Sequence, residues 1–265
     1  MLRFTSLGSG SSGNATLIEA KPRDGAPPTR VLVDCGLPPR QLATRLAARG
    51  LLAGDLDAVF VTHEHSDHVG GVLALQRRHG TPVWASAGTW AQATARHQNA
   101  PACLVARDGE LIVIGSISLA PFAVPHDAAE PLQLSCSDGE HRIGILTDIG
   151  EPTDAVALAL QGCDALLLET NHDPALLAAG AYPAWLKRRI GGDRGHLSNG
   201  QSAALLDACR HDGLRHVVGA HLSRQNNRPE LALAALRGAI GQGCASATQL
   251  TVADAANGCT WIEID

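Results

Sequence analysis

Five short apolar runs, each ending in ionisable residues, constrain the fold of this chain most strongly. They are "RVLVDCG" (30–36), "DAVFVTHEHSDH" (57–68), "RIGILTDIG" (142–150), "DALLLETNHD" (164–173) and "HVVGAHLS" (216–223). Runs of four to six aliphatic residues predict buried strands. Helical patterns lie at 69–79, 151–161, 200–210 and 229–240. The alternation predicts an α/β fold whose strands end in polar groups along one edge.

The rest of the chain indicates how many domains the protein forms and in which compartment it is expected. The segments 110–124 and 131–136 read as hairpins, so mixed sheets are expected, and no linker interrupts a single domain over 1–265. Seven scattered cysteines without a CxxC pair indicate free thiols in a reducing compartment. No apolar run nears the roughly 18 residues of a membrane span, and no signal peptide begins the chain. A cytoplasmic protein is therefore expected.

The densest group of ionisable residues is "VTHEHSDH" (61–68), at the end of the second apolar run. A polar turn would explain one histidine, but not His63, His65, Asp67 and His68 together. So short a loop does not readily bring all four onto one tetrahedral ion. Two neighbouring ions fit better, with His63 and His65 on one and the remaining pair on the other. Imidazole and carboxylate ligands favour zinc, with manganese or iron as alternatives.

An HxHxDH motif after a strand resembles the metal motif of the metallo-β-lactamase superfamily. The resemblance implies an αββα sandwich of two mixed β-sheets flanked by helices, with two divalent metal ions. It places the remaining ligands on His126 in "VPHDA", Asp148 in "LTDIG" and His221 in "AHLS". Asp34, which closes "VLVD", matches the structural aspartate of the superfamily.

Further stretches narrow the resemblance to one branch. They are "LGSGSSGN", "PHDAAEP", "ETNHD", "RGHLSN" and "HLSRQNN". Together they look like the YycJ/WalJ-type branch, which lies close to the RNase Z and RNase J nucleases. This resemblance implies that Glu169 and His196 form a proton-donor relay, so that Asp67, His196 and Glu169 are the expected catalytic residues. The alternatives are a histidine that caps the helix at 199–210 and an ordinary strand-end carboxylate.

The expected function is therefore two-metal hydrolysis of phosphodiester bonds by a hydroxide that bridges the ions. A nuclease is the expected form, with an exonuclease on DNA as its most specific version. The substrate is a nucleic acid or another phosphodiester, no membrane is involved, and a homodimer stays open. The basic segment "WLKRRIGGDRGH" (185–196) fits a phosphate-binding track, with a solvated helix face as the alternative.

Other functions on the same fold stay open at this point. The metals would equally serve a small cyclic phosphodiesterase or a thioester or lactone hydrolase. Redox di-iron relatives carry HxExDH, whereas here His65 occupies the second ligand position. A binding module without metals is disfavoured by the complete ligand set. The glycine-rich loop 8–14 gives a weak further signal, since its backbone N–H groups could contact an anion.

Overall fold

The structure is a computed structural model that describes residues 1–241 and 248–264. It contains two mixed seven-stranded sheets with helices beside them, which confirms the predicted α/β architecture. The predicted free thiol Cys244 lies outside the described residues, whereas the other six cysteines are free. Among the helices of the described residues, none has the length and apolar character that crossing a bilayer requires.

The strands follow the chain from end to end. Their bounds are β1 Leu2–Gly8, β2 Ala15–Ala20, β3 Thr29–Val33, β4 Ala58–Val61, β5 Val83–Ala85, β6 Leu104–Val105, β7 Ile112–Ile114, β8 Ile117–Ala123, β9 Leu132–Ser137, β10 Arg142–Leu146, β11 Ala165–Glu169, β12 His216–Ala220, β13 Gln249–Val252 and β14 Ile262–Ile264. All five predicted strand-plus-polar segments contain a strand at their apolar end.

The helices lie mostly between these strands. Their bounds are α1 Pro39–Ala47, α2 Ser66–Val69, α3 Val72–His79, α4 Ala87–Thr94, α5 Asp154–Leu160, α6 Pro174–Ala179, α7 Ala184–Ile190, α8 Asn199–Cys209 and α9 Pro229–Ile240. The helix predicted over 69–79 is interrupted at Gly70 and Gly71. The chain passes so close to the carbonyl oxygen of Leu37 there that a Cβ on Gly71 would collide with it.

The chain divides into two compact units. The first comprises Met1–Ala123, Ala128–His141 and Asp254–Asp265, and the second comprises Val124–Asp127 and Arg142–Ala253. The prediction of one domain over the whole chain remains a prediction.

The first unit contains the sheet with the order β14-β1-β2-β3-β4-β5-β6. Its strands β3, β4 and β5 run parallel, in register from Val33 opposite Phe60 and from Val61 opposite Ala85. Parallel strands end at the same edge of a sheet, so the residues after β3 and β4 are brought together. The apolar side chains of these strands pack into a buried core that includes Leu17, Leu32 and Val59.

The second unit is built on the parallel strands β10, β11, β12 and β13. Leu146 pairs with Leu168, and Glu169 pairs with Ala220, so the carboxyl ends of three strands are aligned. Helix α9 begins with Pro229 at its first position and ends before Gly241, which has a φ of 68°, as the sequence predicts. The aligned ends of β10, β11 and β12 form the edge from which the polar side chains of the unit project.

Candidate metal centre and active site

The HxHxDH segment of the first unit leaves the end of β4 and enters helix α2. His63 and His68 are fully buried, and their ring centroids lie 4.1 Å apart. The ring of His65 lies 4.6 Å from that of His63. The Nε2 atom of His68 is 3.9 Å from an oxygen of Asp67. The structure therefore gathers the four predicted ligands of this segment into one cluster.

Asp34 organises this cluster from the end of the neighbouring strand β3. One of its oxygens accepts the backbone N–H of Thr62 at 2.8 Å, and the other lies 2.7 Å from Nδ1 of His68. The Thr62 hydroxyl contacts the same carboxylate at 2.9 Å and Nδ1 of His63 at 3.0 Å. A carboxylate accepts from the Nδ1–H of His68, which leaves its Nε2 with a lone pair for a metal ion. Asp34 thus has the structural role that the resemblance implies.

Asn14 is a residue of this cluster that the sequence analysis missed. Its side-chain oxygen accepts the backbone N–H of Gly10 at 2.7 Å, so its amide nitrogen points the other way. That nitrogen lies 2.9 Å from Nε2 of His68 and 3.3 Å from the carbonyl oxygen of Asp67. The glycine-rich loop 8–14 therefore contacts the HxHxDH segment through one buried side chain, which lies on the same lone pair of His68 Nε2 that a metal ion would use. The signal for it was the loop motif itself, which was interpreted only as backbone N–H groups.

The second unit places three further predicted residues beyond aligned strand ends. Asp148 follows β10, Glu169 ends β11, and His221 follows β12, and all three are buried. Asp148 and His221 have φ angles of 60° and 55°. Such left-handed geometry costs roughly 1–3 kcal/mol in residues other than glycine and persists where surrounding contacts enforce it. It turns each side chain sharply off its strand, and Asp34 in the first unit does the same with a φ of 61°.

Glu169 is the centre of the polar network in the second unit. One oxygen accepts the backbone N–H groups of Ile149 at 3.0 Å and Leu197 at 3.1 Å. The other lies 2.9 Å from Nδ1 of His196 and 3.0 Å from Nδ1 of His221. Complete burial alone would raise the pKa of this carboxyl, but the charge and hydrogen bond of His196 and the hydrogen bond of His221 lower it to about 2. Glu169 is therefore an ionised, fully hydrogen-bonded carboxylate and not an ordinary strand-end side chain.

His196 lies on the loop before helix α8, with one fifth of its side chain exposed. Its Nδ1 atom contacts both Glu169 and Asp148, at 2.9 and 3.1 Å. Burial lowers the pKa of this imidazole, but the two carboxylates outweigh that effect and raise it to about 10. The helix itself is capped by Ser198, whose hydroxyl accepts from Gln201. The interpretation of His196 as a helix cap is therefore excluded.

His126 completes the predicted set within the second unit. Its Nδ1 atom lies 3.0 Å from the carbonyl oxygen of Gly195. A carbonyl only accepts hydrogen bonds, so Nδ1 carries the proton and Nε2 carries the lone pair. Burial lowers the pKa of His126 despite the carboxylate of Asp148, which favours this neutral imidazole. A neutral imidazole whose Nδ1–H is hydrogen-bonded to a carbonyl oxygen is the form in which histidine binds a metal ion through Nε2.

The donor chemistry of each unit fits a divalent cation. In the second unit, donor atoms of Asp148, Glu169, His196 and His221 lie within 4.8 Å of one another. In the first unit, the hydrogen bond to Asp34 presents His68 through Nε2. Mixed imidazole and carboxylate donors suit zinc and other transition metals better than calcium or magnesium. Divalent metal binding is thus what these residues support.

The basic segment 185–196 is only partly available for a substrate. Arg189 pairs with Asp127 at 2.6 Å, and Lys187 donates to the carbonyl oxygen of Ala178 at 2.5 Å. Among the described residues, no ion pair engages the exposed Arg188 and Arg194. Two of the four predicted phosphate-binding cations are therefore used in contacts within the protein.

His172 and Asp173, which close the segment 164–173, differ in their contacts. The Asp173 carboxylate accepts from the backbone of Ala175 and Leu176 and so begins helix α6. His172 is buried, which lowers its pKa, and its backbone bridges to Ser198. Asp173 is therefore a helix cap, and His172 joins two segments that flank Glu169 and His196.

Two bacterial relatives are similar along most of the chain. A protein of Bacillus anthracis named exodeoxyribonuclease YycJ is 34% identical over 233 residues, which cover 87% of this chain and 86% of the relative. A protein of Streptococcus pneumoniae serotype 2 (strain D39 / NCTC 7466) named exodeoxyribonuclease WalJ is 33% identical over 234 residues, covering 87% and 85%. These similarities confirm the branch that the motifs indicate.

Comparison with solved structures agrees on the fold. The crystal structure of the short form of human tRNase Z superposes with a TM-score of 0.63 at 17% identity, and covers 99% of each chain. At that identity the likeness concerns the fold alone. The sequence model described as the Beta-lactamase superfamily domain matches residues 29–222, a range that includes every predicted metal ligand. The chain therefore belongs to the metallo-β-lactamase superfamily.

Proposed function

We propose that this protein is a metal-dependent exodeoxyribonuclease that hydrolyses phosphodiester bonds with two divalent ions, with zinc as the expected metal. The observation that carries the proposal is the His196–Glu169 pair, which lies beside Asp148 in the network of the second unit. A proton donor beside metal ligands is what cleavage of a phosphodiester with an alkoxide leaving group requires. The names of the two bacterial relatives supply the substrate class, DNA.

The proposed ligands are His63, His65 and His126 for one ion, and Asp67, His68 and His221 for the other, with Asp148 shared. This assignment follows the order of the motif and is supported by the lone pairs that Asp34 and Gly195 leave on Nε2 of His68 and His126. When bound, such ions lower the pKa of water towards neutrality and stabilise charge on phosphoryl oxygens.

The side chains of the protein supply the proton for the leaving group and orient its donor. The Nδ1–H of His196 donates to Glu169 and Asp148, which leaves Nε2–H to protonate the departing sugar oxygen. Glu169 fixes that orientation, because its other oxygen is held by two backbone N–H groups. The buried thiols take no part, since burial raises the pKa of both Cys35 and Cys163 to about 12.

Digestion of labelled DNA tests this function. The zinc-loaded or manganese-loaded protein is incubated with 5′- or 3′-labelled linear DNA, with covalently closed single-stranded circles and with RNA of the same sequence. Mononucleotides or short products should appear from linear DNA, whereas circles should persist because they offer no end. His196→Ala should slow this digestion roughly a hundredfold or more. His211→Ala serves as the matched control, since the ring of His211 bonds to two backbone groups away from Glu169, the carbonyl oxygen of Cys163 and the N–H of Gly213.

Three outcomes of that experiment would overturn the proposal. Equal cleavage of circles and linear strands would indicate an endonuclease. Cleavage of RNA with DNA left intact would change the substrate class. Hydrolysis of a small chromogenic diester without any digestion of polymer would favour the alternative, a small-molecule phosphodiesterase on the same fold.

A further inference from the structure

A groove of about 620 Å³ lies in the first unit beside the HxHxDH segment. Helices α2 and α3 form one wall, and the end of helix α4 with the residues that follow it forms the other. Its volume falls in the range of ligand-binding clefts, which is roughly 300–1,000 Å³. No residue of this groove belongs to the metal-ligand set or to the basic segment of the second unit.

The groove exists because both walls present small side chains to it. Gly70 and Ala74 lie four residues apart and face it from one side, while Ala93 and Ala95 face it from the other. These small side chains leave space for the groove beside helix α3.

The polar lining of the groove is mainly cationic. Arg77, Arg96 and His97 line it together with Gln92, and Glu64 contributes the single carboxylate. Both arginines are exposed, and within the described part of the chain neither forms an ion pair. Because the whole chain has a net charge of −5, this local excess of positive charge is distinctive. Arginine forks bind phosphate groups in two-point contacts.

The groove also adjoins the metal motif directly. Glu64 and Ser66, which alternate with the ligands His63, His65 and Asp67, line it. One oxygen of Glu64 accepts the backbone N–H of Ala129 at 2.8 Å, which holds this part of the wall in place. Arg77, on helix α3, lies at the end of the same wall that begins with Glu64 and Ser66.

We propose that the groove binds the backbone of a single DNA strand whose end lies at the metal motif, with Arg77 and Arg96 on its phosphates. The inference rests on the proposed exonuclease function and names the surface by which that function would hold its polymer. Aromatic residues make up only 3% of the chain, so recognition through phosphates fits it better than stacking of bases. His97 also lies in this binding surface.

Charge reversal with a matched control tests the groove. Arg77→Glu/Arg96→Glu is compared with Arg78→Glu/Arg40→Glu, which changes the net charge equally. Arg78 is the neighbour of Arg77 on helix α3 but lines a different cavity, together with Pro39 and Leu42 of helix α1. All four arginines are exposed, so folding should survive in both variants, and thermal unfolding verifies this.

Binding is measured by fluorescence anisotropy of labelled single strands of three and twelve nucleotides, with chelated protein so that nothing is hydrolysed. The groove variant should bind the twelve-nucleotide strand roughly tenfold more weakly, and its slope of log K against log salt should fall by about 1.4, or 0.7 for each lost phosphate contact. Its affinity for the trinucleotide should fall less, because a shorter strand offers fewer phosphates to the groove. The control variant should keep the wild-type affinity for both strands.

The test separates this inference from the function on which it rests. If the protein hydrolyses no nucleic acid yet the groove variant alone loses binding, the groove stands and the exonuclease proposal fails. If hydrolysis occurs and both double variants bind equally well or equally poorly, the groove is refuted. Single-stranded RNA should show the same loss as DNA, since the contacts are to phosphates. A larger loss for duplex than for single strands would overturn the single-strand assignment.

Discussion

Replacing Glu169 by glutamine should impair metal binding as well as proton transfer. The resemblance assigns Glu169 only to the proton-donor relay with His196. In the structure, the same carboxylate oxygen lies 2.9 Å from Nδ1 of His196 and 3.0 Å from Nδ1 of His221, a proposed metal ligand. A change at Glu169 therefore reaches both residues.

The size of the effect follows from the four hydrogen bonds of Glu169. A glutamine keeps one accepting oxygen for the backbone N–H groups of Ile149 and Leu197 and turns its NH₂ towards the two imidazoles. An NH₂ group cannot accept from an imidazole, so Glu169→Gln removes one acceptor from both Nδ1 atoms and leaves only Asp148, at 3.1 and 3.2 Å, to orient the two rings. Loss of such an orienting partner typically weakens metal affinity about 10–100-fold. Replacing two charge-assisted hydrogen bonds by neutral ones costs roughly 2 kcal/mol of unfolding free energy in total.

Metal titration by calorimetry, together with urea unfolding, measures both effects. Glu19→Gln is the matched control, because Glu19 is an equally buried carboxylate that is paired with Arg3 and Arg30 at 2.6 and 2.7 Å. Its loss should lower stability by a similar or larger amount without any change in metal affinity. Since native domains are stable by about 5–15 kcal/mol, both variants should remain folded.

Wild-type metal affinity in Glu169→Gln, with a defect confined to turnover, would refute this reasoning. In that case the contact between Glu169 and His221 would have no part in orienting the ligand. Glu169 would then act on His196 alone.

Three further predictions concern single side chains. His196→Ala should keep both metal ions but slow cleavage of DNA roughly a hundredfold or more. A nitrophenyl diester should be cleaved nearly normally, because its leaving group needs no proton. Equal slowing of both substrates would contradict the role of His196 as proton donor. Asp34→Ala should lower both the affinity for metal and the free energy of unfolding. The substitution leaves the backbone N–H of Thr62 and the Nδ1–H of His68 without an acceptor, which costs roughly 1–3 kcal/mol for each buried donor. Unchanged urea unfolding would contradict this prediction. Asn14→Ala should lower the unfolding free energy, because it leaves the backbone N–H of Gly10 without its buried acceptor. It should not weaken metal binding, because the amide nitrogen of Asn14 lies on the lone pair of His68 Nε2 that a metal ion would use; a weaker metal titration of Asn14→Ala would contradict this.

The sequence predicts the strand ends well because their pattern is local. An apolar run that closes with Asp34, His63 or Asp148 fixes both the strand and the place where its polar residue projects. Parallel pairing then aligns these ends by geometry that any α/β sheet shares. For this reason the family and the fold were accessible before any coordinates.

The contacts that hold the site together were not accessible in this way. Asn14 meets Asp67 across 53 positions of sequence, and Glu169 meets His221 across 52. No local periodicity encodes such pairings, and an asparagine in a glycine-rich loop reads as a turn residue. The internal contacts of Lys187 and Arg189 were hidden for the same reason, since their partners lie on other segments. The groove required the orientation of two helices, which the sequence does not supply.

The most direct test of the central claim couples metal content to the cleavage of DNA ends. Chelated protein is titrated with zinc or manganese, and at each step bound metal per chain and the release of nucleotides from linear DNA are measured together. The account predicts saturation at two ions per chain, with full activity only as the second ion binds. Full activity at one ion per chain, or activity that persists in the metal-free protein, would contradict it.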